Sequence, residues 1–326
     1  MLAYAVRRIL IGIVVLLVST FVVFLMVSFS GNPLGYLLGR NPPPSPHVVH
    51  LEAHRLHLDQ PLLERYVTWL GGVLHGDFGP SVHHNTHIGP ELLDRFIITM
   101  RLIGLAMLVA LLLAVLVGVM SAVKQYSARD YTATFLGFLF LAMPSFWLAL
   151  LLKQAGIDLN NVFDSQIFYT IGDTSVYVQG GTWAHIKDIL GHMILPTISL
   201  ALISFASWSR YCRGSMLEVL NSDYVRLARA KGLSRSRVMI KHAFRTALIP
   251  LTTVTALDLA AIISGAVITE TVFQWHGMGD LLITSIKTFD VYAVLGWLLV
   301  SAATVIAFNL IADLLYAVLD PRIRYD

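Results

Sequence analysis

Three groups of residues in this 326-residue chain could carry chemistry. Asp258 and Asp313 are carboxylates inside otherwise apolar runs, where an ion is disfavoured and so faces a polar path or is paired. Two readings of Asp258 stand: a contact lining a possible substrate path, for instance to an amino group, or a paired structural carboxylate. Asp313, close in sequence to Arg322 and Arg324, reads as structural. His47, His50, His54 and His57, spaced 3, 4 and 3, would share one face of a helix. Such a row could hold a metal or sense pH. No carboxylate or cysteine pattern completes a metal site, so a solvated, partner-facing surface is the plainer reading and no metal site is expected. The single cysteine, Cys212, excludes an intrachain disulfide. No Ser/His/Asp or Cys/His arrangement has useful spacing, and no G-x-x-x-x-G-K-[ST] loop is present to hold nucleotide phosphates. The third group is the basic run Ser209 to Leu248, with nine basic and two acidic residues.

The elements that must position these groups are membrane spans. The chain is 56% hydrophobic and 13% charged, with mean hydropathy +0.70. Soluble domains average about 45–50% and about 25%. That excludes a disordered chain, a coiled coil, a collagen-like chain and an ordinary soluble enzyme. A span needs about 20 mostly apolar residues. Six candidates follow: Ile9–Phe29, Ile97–Val123, Tyr131–Leu152 with Pro144 inside, a short Met193–Trp208 with Pro196, Ile249–Val272 with Asp258, and Val291–Leu319 with Asn309 and Asp313. The first is too long for a secretory signal and no small-x-small site follows, so it is read as a retained anchor. The expected fold is an all-α integral membrane protein.

Basic residues mark the cytoplasmic side. With the N-terminus inside, 15 of the 23 Lys and Arg fall in cytoplasmic segments, and the acidic residues lean outward. N- and C-termini are therefore both expected to be cytoplasmic. Residues 1–30 hold the N-terminal segment and first span, 31–96 an extracytoplasmic region that opens on the stiff NPPPSP run at 41–46, and 97–326 a five-helix core with a cytoplasmic loop at 209–248. No internal repeat is evident, against an inverted-repeat transporter.

Within the basic loop a helix can begin at Asp223 as N-cap, stay slim at Ala228 and Ala230, and stop at a left-handed Gly232. Ser234 can cap a second helix, with Leu233 stapling onto Val238. The segment thus reads as two short helices about a Gly-Leu-Ser turn. Three interpretations compete. A solvated topological loop does not explain the small residues at the turn. A DNA-reading helix-turn-helix conflicts with tethering to spans at both ends, so no nucleic-acid partner is expected. A docking element for a cytoplasmic protein fits both facts.

Asp223-Tyr224-Val225-Arg226-Leu227-Ala228-Arg229-Ala230-Lys231-Gly232-Leu233 resembles the cytoplasmic coupling motif of ABC importer permeases. Ala228 and Gly232 hold the second Ala and the Gly of that motif, and Ile249-Pro250 closes it 18 residues after Gly232. Arg226 and Leu227 stand where the general motif has Glu and Ala. That departure is similar to the oligopeptide/dipeptide/nickel branch, whose motif reads DY-x-R-x-ARAKGL. The arginine pair Arg7-Arg8, the stretch Leu58-Asp59-Gln60-Pro61 through Tyr66, Trp69 and Gly76 to Gly79, and the C-terminal Asn309 to Tyr325 also resemble that branch, its first permease subunit above all.

The resemblance implies a type I permease fold with six transmembrane helices in a bacterial cytoplasmic membrane. It implies import of short peptides, with nickel or another small solute as an alternative and an ATP-independent channel as the rival of another class. The implied partners are a second homologous permease, two ATP-binding subunits or one fused pair, an extracytoplasmic peptide-binding protein, and membrane lipid. ATP and Mg would be bound by the ATP-binding subunits and no cofactor by this chain, which would not itself be an enzyme. The residues implied in coupling are Asp223, Tyr224, Arg226, Ala228, Arg229, Ala230, Lys231, Gly232, Leu233, Ser234 and Pro250. Small residues at 228, 230 and 232 would allow close approach of the partner.

Overall fold

A computed structural model describes residues 2–82 and 88–319, with the side chains of 2–5, 235, 242, 256, 257, 259–265 and 312–319 left aside. His83, His84, His87, Arg322, Arg324 and the Asp313 side chain lie outside the described residues. The described chain is helical and forms two compact units, residues 2–82 and 88–99 with 276–307, and 100–275 with 308–319.

The first unit contains α1 (Leu2–Ser30), α2 (Gly35–Leu38), α3 (Pro46–Arg55), α4 (Leu62–Val73), the start of α5 (Ile88–Val123), α12 (Met278–Lys287) and the first half of α13 (Val291–Leu319). Its core gathers Phe24, Tyr66, Trp69, Leu92, Leu281 and Leu295. Tyr66 fixes α4 to α1, donating to the Leu17 carbonyl at 3.0 Å and lying 2.9 Å from the Thr20 hydroxyl. Asp290 is 2% exposed. One carboxylate oxygen caps α13 by accepting from Ala293 N, and the other accepts from Ser81 Oγ and Val82 N at 2.7 and 2.8 Å.

Ser45 caps α3, and Pro46 occupies its first position, where a missing N–H does no harm. His47, His50 and His54 lie on α3, but His57 follows it at φ +55. The four-histidine helix face expected from spacing is therefore cut to three, because the helix ends at Arg55. On the same helix, Glu52 accepts from Arg55 at 2.5 and 2.9 Å and from Tyr36 at 3.0 Å. The Arg55 bonds hold the Glu52 carboxyl below its ordinary value, with partial burial opposing and Tyr36 assisting. A lowered folded value gives stability that is complete above the unfolded value, about 4.3, and lost as pH falls through the folded one. Amide-exchange protection of residues 46–56, corrected for intrinsic rates, should hold from about pH 7 to pH 5 and decline below about pH 4. Glu52→Gln should flatten that profile.

The second unit contains the rest of α5, then α6 (Ala128–Ala142), α7 (Ser145–Val162), α8 (Thr182–Leu220), α9 (Asp223–Ala230), a short α10 (Arg235–Arg237), a π-helical segment Val238–Phe244 and α11 (Arg245–Phe273). Ala106, Ala110, Ala114, Gly118 and Ala122 recur every fourth residue along α5 and are all buried. A Cβ on Gly118 would stand 2.7 Å from Cys212 Cβ and 2.8 Å from the Ser209 carbonyl. Small residues at that spacing let helix backbones meet. Helix α8 packs on α6, α7 and α11.

Two expected spans differ from the structure. Tyr131–Leu152 is not one helix: α6 and α7 meet at 108°. Met143 is extended (ψ 130), the conformation Pro144 imposes on its predecessor. Met193–Trp208 is only the apolar middle of the 39-residue α8, whose ends carry polar groups that find partners. Pro196, buried within α8, removes one donor from its ladder. The loop after α7 folds back on α11. Lys153 Nζ donates to the Val272 carbonyl at 2.8 Å and Gly172 N to the Phe273 carbonyl at 2.9 Å, serving carbonyls a helix end leaves unpaired. Arg101 pairs with Asp173 at 2.8 Å and lies over the Trp275 ring.

By length and composition, Val6–Leu38, Ile88–Val123, Thr182–Leu220 and Val291–Ile311 can each cross a membrane, and the bent α6–α7 pair counts as a fifth. Helix α11 adds 29 further residues of mainly apolar type.

Candidate functional site

The candidate site is α9 and the turn after it. Helix α9 begins at Asp223, so Asp223 is its first residue and Ser222 holds the cap position expected of Asp223. Ser222 supplies no side-chain cap; its hydroxyl donates back to the Val219 carbonyl at 2.6 Å. Asp223 still complements the positive end of the helix from its first turn.

The helix presents two faces. Val225 (0% exposed) and Ala228 (6%) point inward, while Asp223, Tyr224, Arg226, Leu227, Arg229 and Ala230 are exposed. Ala228 is thus slim for packing within this chain, and close approach from outside is left to Ala230 and Gly232. Arg226 lies 3.7 Å from Asp223 in an exposed pair, of the kind that contributes little to stability. With Arg229 and Lys231 the outer face carries three cations against one carboxylate.

The end of α9 is a Schellman turn. Gly232 sits at φ +75, its N–H bonds the Arg229 carbonyl at 3.0 Å, and Leu233 N–H reaches the Ala228 carbonyl at 3.4 Å. The left-handed Gly232 read from the sequence is found in place. A Cβ built on it meets nothing within 4 Å, so the turn stands clear of its own chain. Ser234 and Lys231 are exposed and Leu233 is half-buried.

The second short helix does not stand apart. After Ser234 the chain makes three α-helical residues, passes through the π-helical Val238–Phe244, and continues directly into α11. Pro250 lies exposed inside α11, not at its start. Val238 (2%), Ala243 (0%) and Ala247 (1%) are buried, and α9 packs against the π segment. The exposed turn is therefore joined to a membrane-length helix by continuous helical backbone.

Asp258, half-buried, accepts a 2.7 Å bond from Nε1 of Trp208, itself 0% exposed. The carboxylate thus has a hydrogen-bond partner within its own chain, as the structural reading requires. Among the described residues no three His, Cys, Asp or Glu side chains converge as metal ligands. Composition and spacing missed a buried group at the junction of α5, α6 and α8. Asp130, 3% exposed, accepts from Arg213 Nε at 2.8 Å and Nη2 at 2.9 Å, from Tyr126 N at 2.9 Å, and from Ser121 Oγ. The one sequence signal is Ser127-x-x-Asp130, a capping pattern. Ser127 caps α6, but the carboxylate turns to α8.

Several apolar helices, one of them a bent pair, build an all-helical membrane protein with the type I ABC permease fold. That fold is shared with the inward-facing MetNI methionine ABC transporter (TM-score 0.56, 13% identity, 70% of this chain and 96% of that one). It is also shared with an amino acid ABC transporter solved with histidines (TM-score 0.50, 14% identity, 72% and 94%). The chain belongs to the binding-protein-dependent transport system inner membrane component family, whose model matches residues 114–325, while the model of that family's N-terminal part matches residues 1–103. It is a multi-pass membrane protein. Its relatives include the oligopeptide transport system permease protein OppB of Mycobacterium tuberculosis strain H37Rv, 39% identical over 99% of both chains. They also include AppB of Bacillus subtilis, an oligopeptide transport system permease (35%, 100% of both), and the dipeptide transport system permease DppB of Escherichia coli K12 (37%, 100% of this chain and 99% of that one).

Proposed function

We propose that this chain is a permease subunit of an ATP-driven importer that moves short peptides into the cytoplasm. The exposed left-handed turn at Gly232 carries the reading, since it offers a partner a helix end that this chain does not cover. Full-length similarity to oligopeptide and dipeptide permeases supports the substrate class.

Six spans fit the helices: α1, α5, the α6–α7 pair, α8, α11 and α13. With both termini cytoplasmic, α9 lies inside and faces an ATP-binding subunit. Arg226, Arg229 and Lys231 suit an acidic groove there, with Asp223, Tyr224, Ala230 and Ser234 around them. Ala228 and Leu233 hold the turn's shape, and Pro250 marks the following span. A second permease completes the path, two ATP-binding domains hold ATP and Mg, and a binding protein delivers peptide from outside.

Mild detergent purification of the tagged chain from its host, followed by mass spectrometry, tests this. Co-recovery of a second permease and Walker-motif ATPases, with ATP-dependent peptide uptake by the reconstituted complex, is expected. Recovery of the chain as a homo-oligomer that conducts without ATP would replace the importer with a channel.

Asp258 receives its own test. Asn at 258 can still accept from Trp208 but carries no charge. Asp258→Asn should therefore keep uptake within about threefold of the unaltered protein, whereas Asp258→Leu, which strands a buried indole N–H, should cost about 1–3 kcal/mol of stability. An uptake loss beyond about tenfold in Asp258→Asn at normal expression would instead place the charge on the substrate path.

A further inference from the structure

A cavity of about 560 Å³ opens between α6 and α8, lined by Thr134, Phe138, Ser207, Arg210, Tyr211 and Ser215 among others. Its two arginines differ. Arg213 is neutralised by Asp130 at 2.8 Å. Arg210 is exposed, lies over the Phe138 ring at 4.5 Å, and among the described residues has no carboxylate partner. The cavity thus has one uncompensated cation, hydroxyl groups that can donate, and an aromatic wall.

Its depth in the membrane can be read from both helices. Along α8, the apolar stretch from Ile194 gives way to Ser209-Arg210 beside the cavity. Along α6, the charged Arg129-Asp130 of the first turn gives way to apolar residues beside Thr134. Both helices change from water-compatible to lipid-compatible composition at this level. Three exposed tyrosines mark the same zone: Tyr126 (72%), Tyr131 (62%) and Tyr211 (51%). Exposed aromatic rings with a polar tip favour the headgroup level of a bilayer. Phe135 (66%) and Phe138 (51%) continue the exposed apolar surface toward the membrane interior.

From this geometry we propose that the α6–α8 cavity is a binding site for the headgroup of an anionic phospholipid. The phosphate meets Arg210, the hydroxyls of Thr134, Ser207 and Ser215 offer hydrogen bonds, and the acyl chains run along the exposed phenylalanines of α6. Basic pockets between membrane helices at the cytoplasmic level take such headgroups. Placement in the cytoplasmic leaflet rests on the orientation given under Proposed function; the site itself does not.

Native mass spectrometry of the purified transporter complex, titrated with phosphatidylglycerol or phosphatidylcholine, tests the site. One phosphatidylglycerol per copy of this chain should bind in preference to phosphatidylcholine. Arg210→Gln should weaken that binding about fivefold, the size of effect expected for one cation near an anionic surface. Arg210→Lys should keep most of it. Intact complex mass in each variant controls for folding and assembly. A photoactivatable phosphatidylglycerol should crosslink to peptides containing Thr134 and Tyr211. Equal uptake of both lipids, or unchanged binding in Arg210→Gln, would overturn the proposal. Crosslinks confined to the second permease would do so too, because protein would then cover the cavity. Each of these outcomes is independent of peptide transport.

Discussion

Gly232→Asp should abolish coupled transport while leaving this chain folded and inserted. Nothing in the chain lies within 4 Å of a Cβ at 232, and Asp enters the left-handed region more readily than most residues. The cost to the fold is then about 1 kcal/mol, the low end of the left-handed penalty. The added carboxylate would instead meet whatever docks on the turn. If that surface is acidic, repulsion joins the lost fit, and loss of a central contact costs about 2–4 kcal/mol. Affinity for the ATP-binding subunit should fall at least about thirtyfold. Peptide uptake in proteoliposomes should drop with it, while ATPase activity added in excess persists. Gly232→Asn, neutral and similarly shaped, should lose less. Full uptake by Gly232→Asp would remove the docking assignment.

The second large effect is structural. Asp130→Ala should destabilise the chain by about 3 kcal/mol. Removing one partner of a buried ion pair costs about 3–5 kcal/mol. The Arg213 side chain is 29% exposed, so it can recover some hydration, which favours the lower end. The substitution also leaves Tyr126 N and Ser121 Oγ without this acceptor. Unfolding of the detergent-purified protein reads the loss directly. The double substitution Asp130→Ala with Arg213→Leu should be less destabilising than the two single effects added, since it strands no charge. A loss under about 1 kcal/mol for Asp130→Ala would show the pair to be dispensable.

These two sites differ in how far the sequence discloses them. Gly232 is legible because its constraint is local: a glycine closing a run of small and basic residues has few reasons to be there other than positive φ. Asp130 is not, because its partner is 83 residues away on another helix. The same holds for Asp258, whose Trp208 partner is 50 residues away. Hydropathy found where apolar helices run but not where they end. Asp188, near the start of α8, is bonded to Ser175 N and Oγ, and Arg213, near its end, to Asp130. Polar letters therefore look like loop although they are helix. Pro144 signals a break in the third span, and the chain turns there by 108° with Met143 extended, but residue type alone carries no angle. The cap falls one residue before the Asp223 expected from type, with Ser222 in the cap position and its hydroxyl turned back to Val219. The π segment Val238–Phe244 has no signal in residue type at all.

The length of α8 has a mechanical consequence. At about 1.5 Å per residue it is about 58 Å long, nearly twice the thickness of a bilayer's apolar core. Pro196 divides it into an N-terminal arm of 14 residues and a C-terminal arm of 24, about 21 and 36 Å. The proline lacks the ladder bond that would stiffen this point. A small rotation there displaces the Leu220 tip about 1.7 times as far as the Thr182 tip. The helix is a lever of unequal arms, and its longer arm ends two residues before α9.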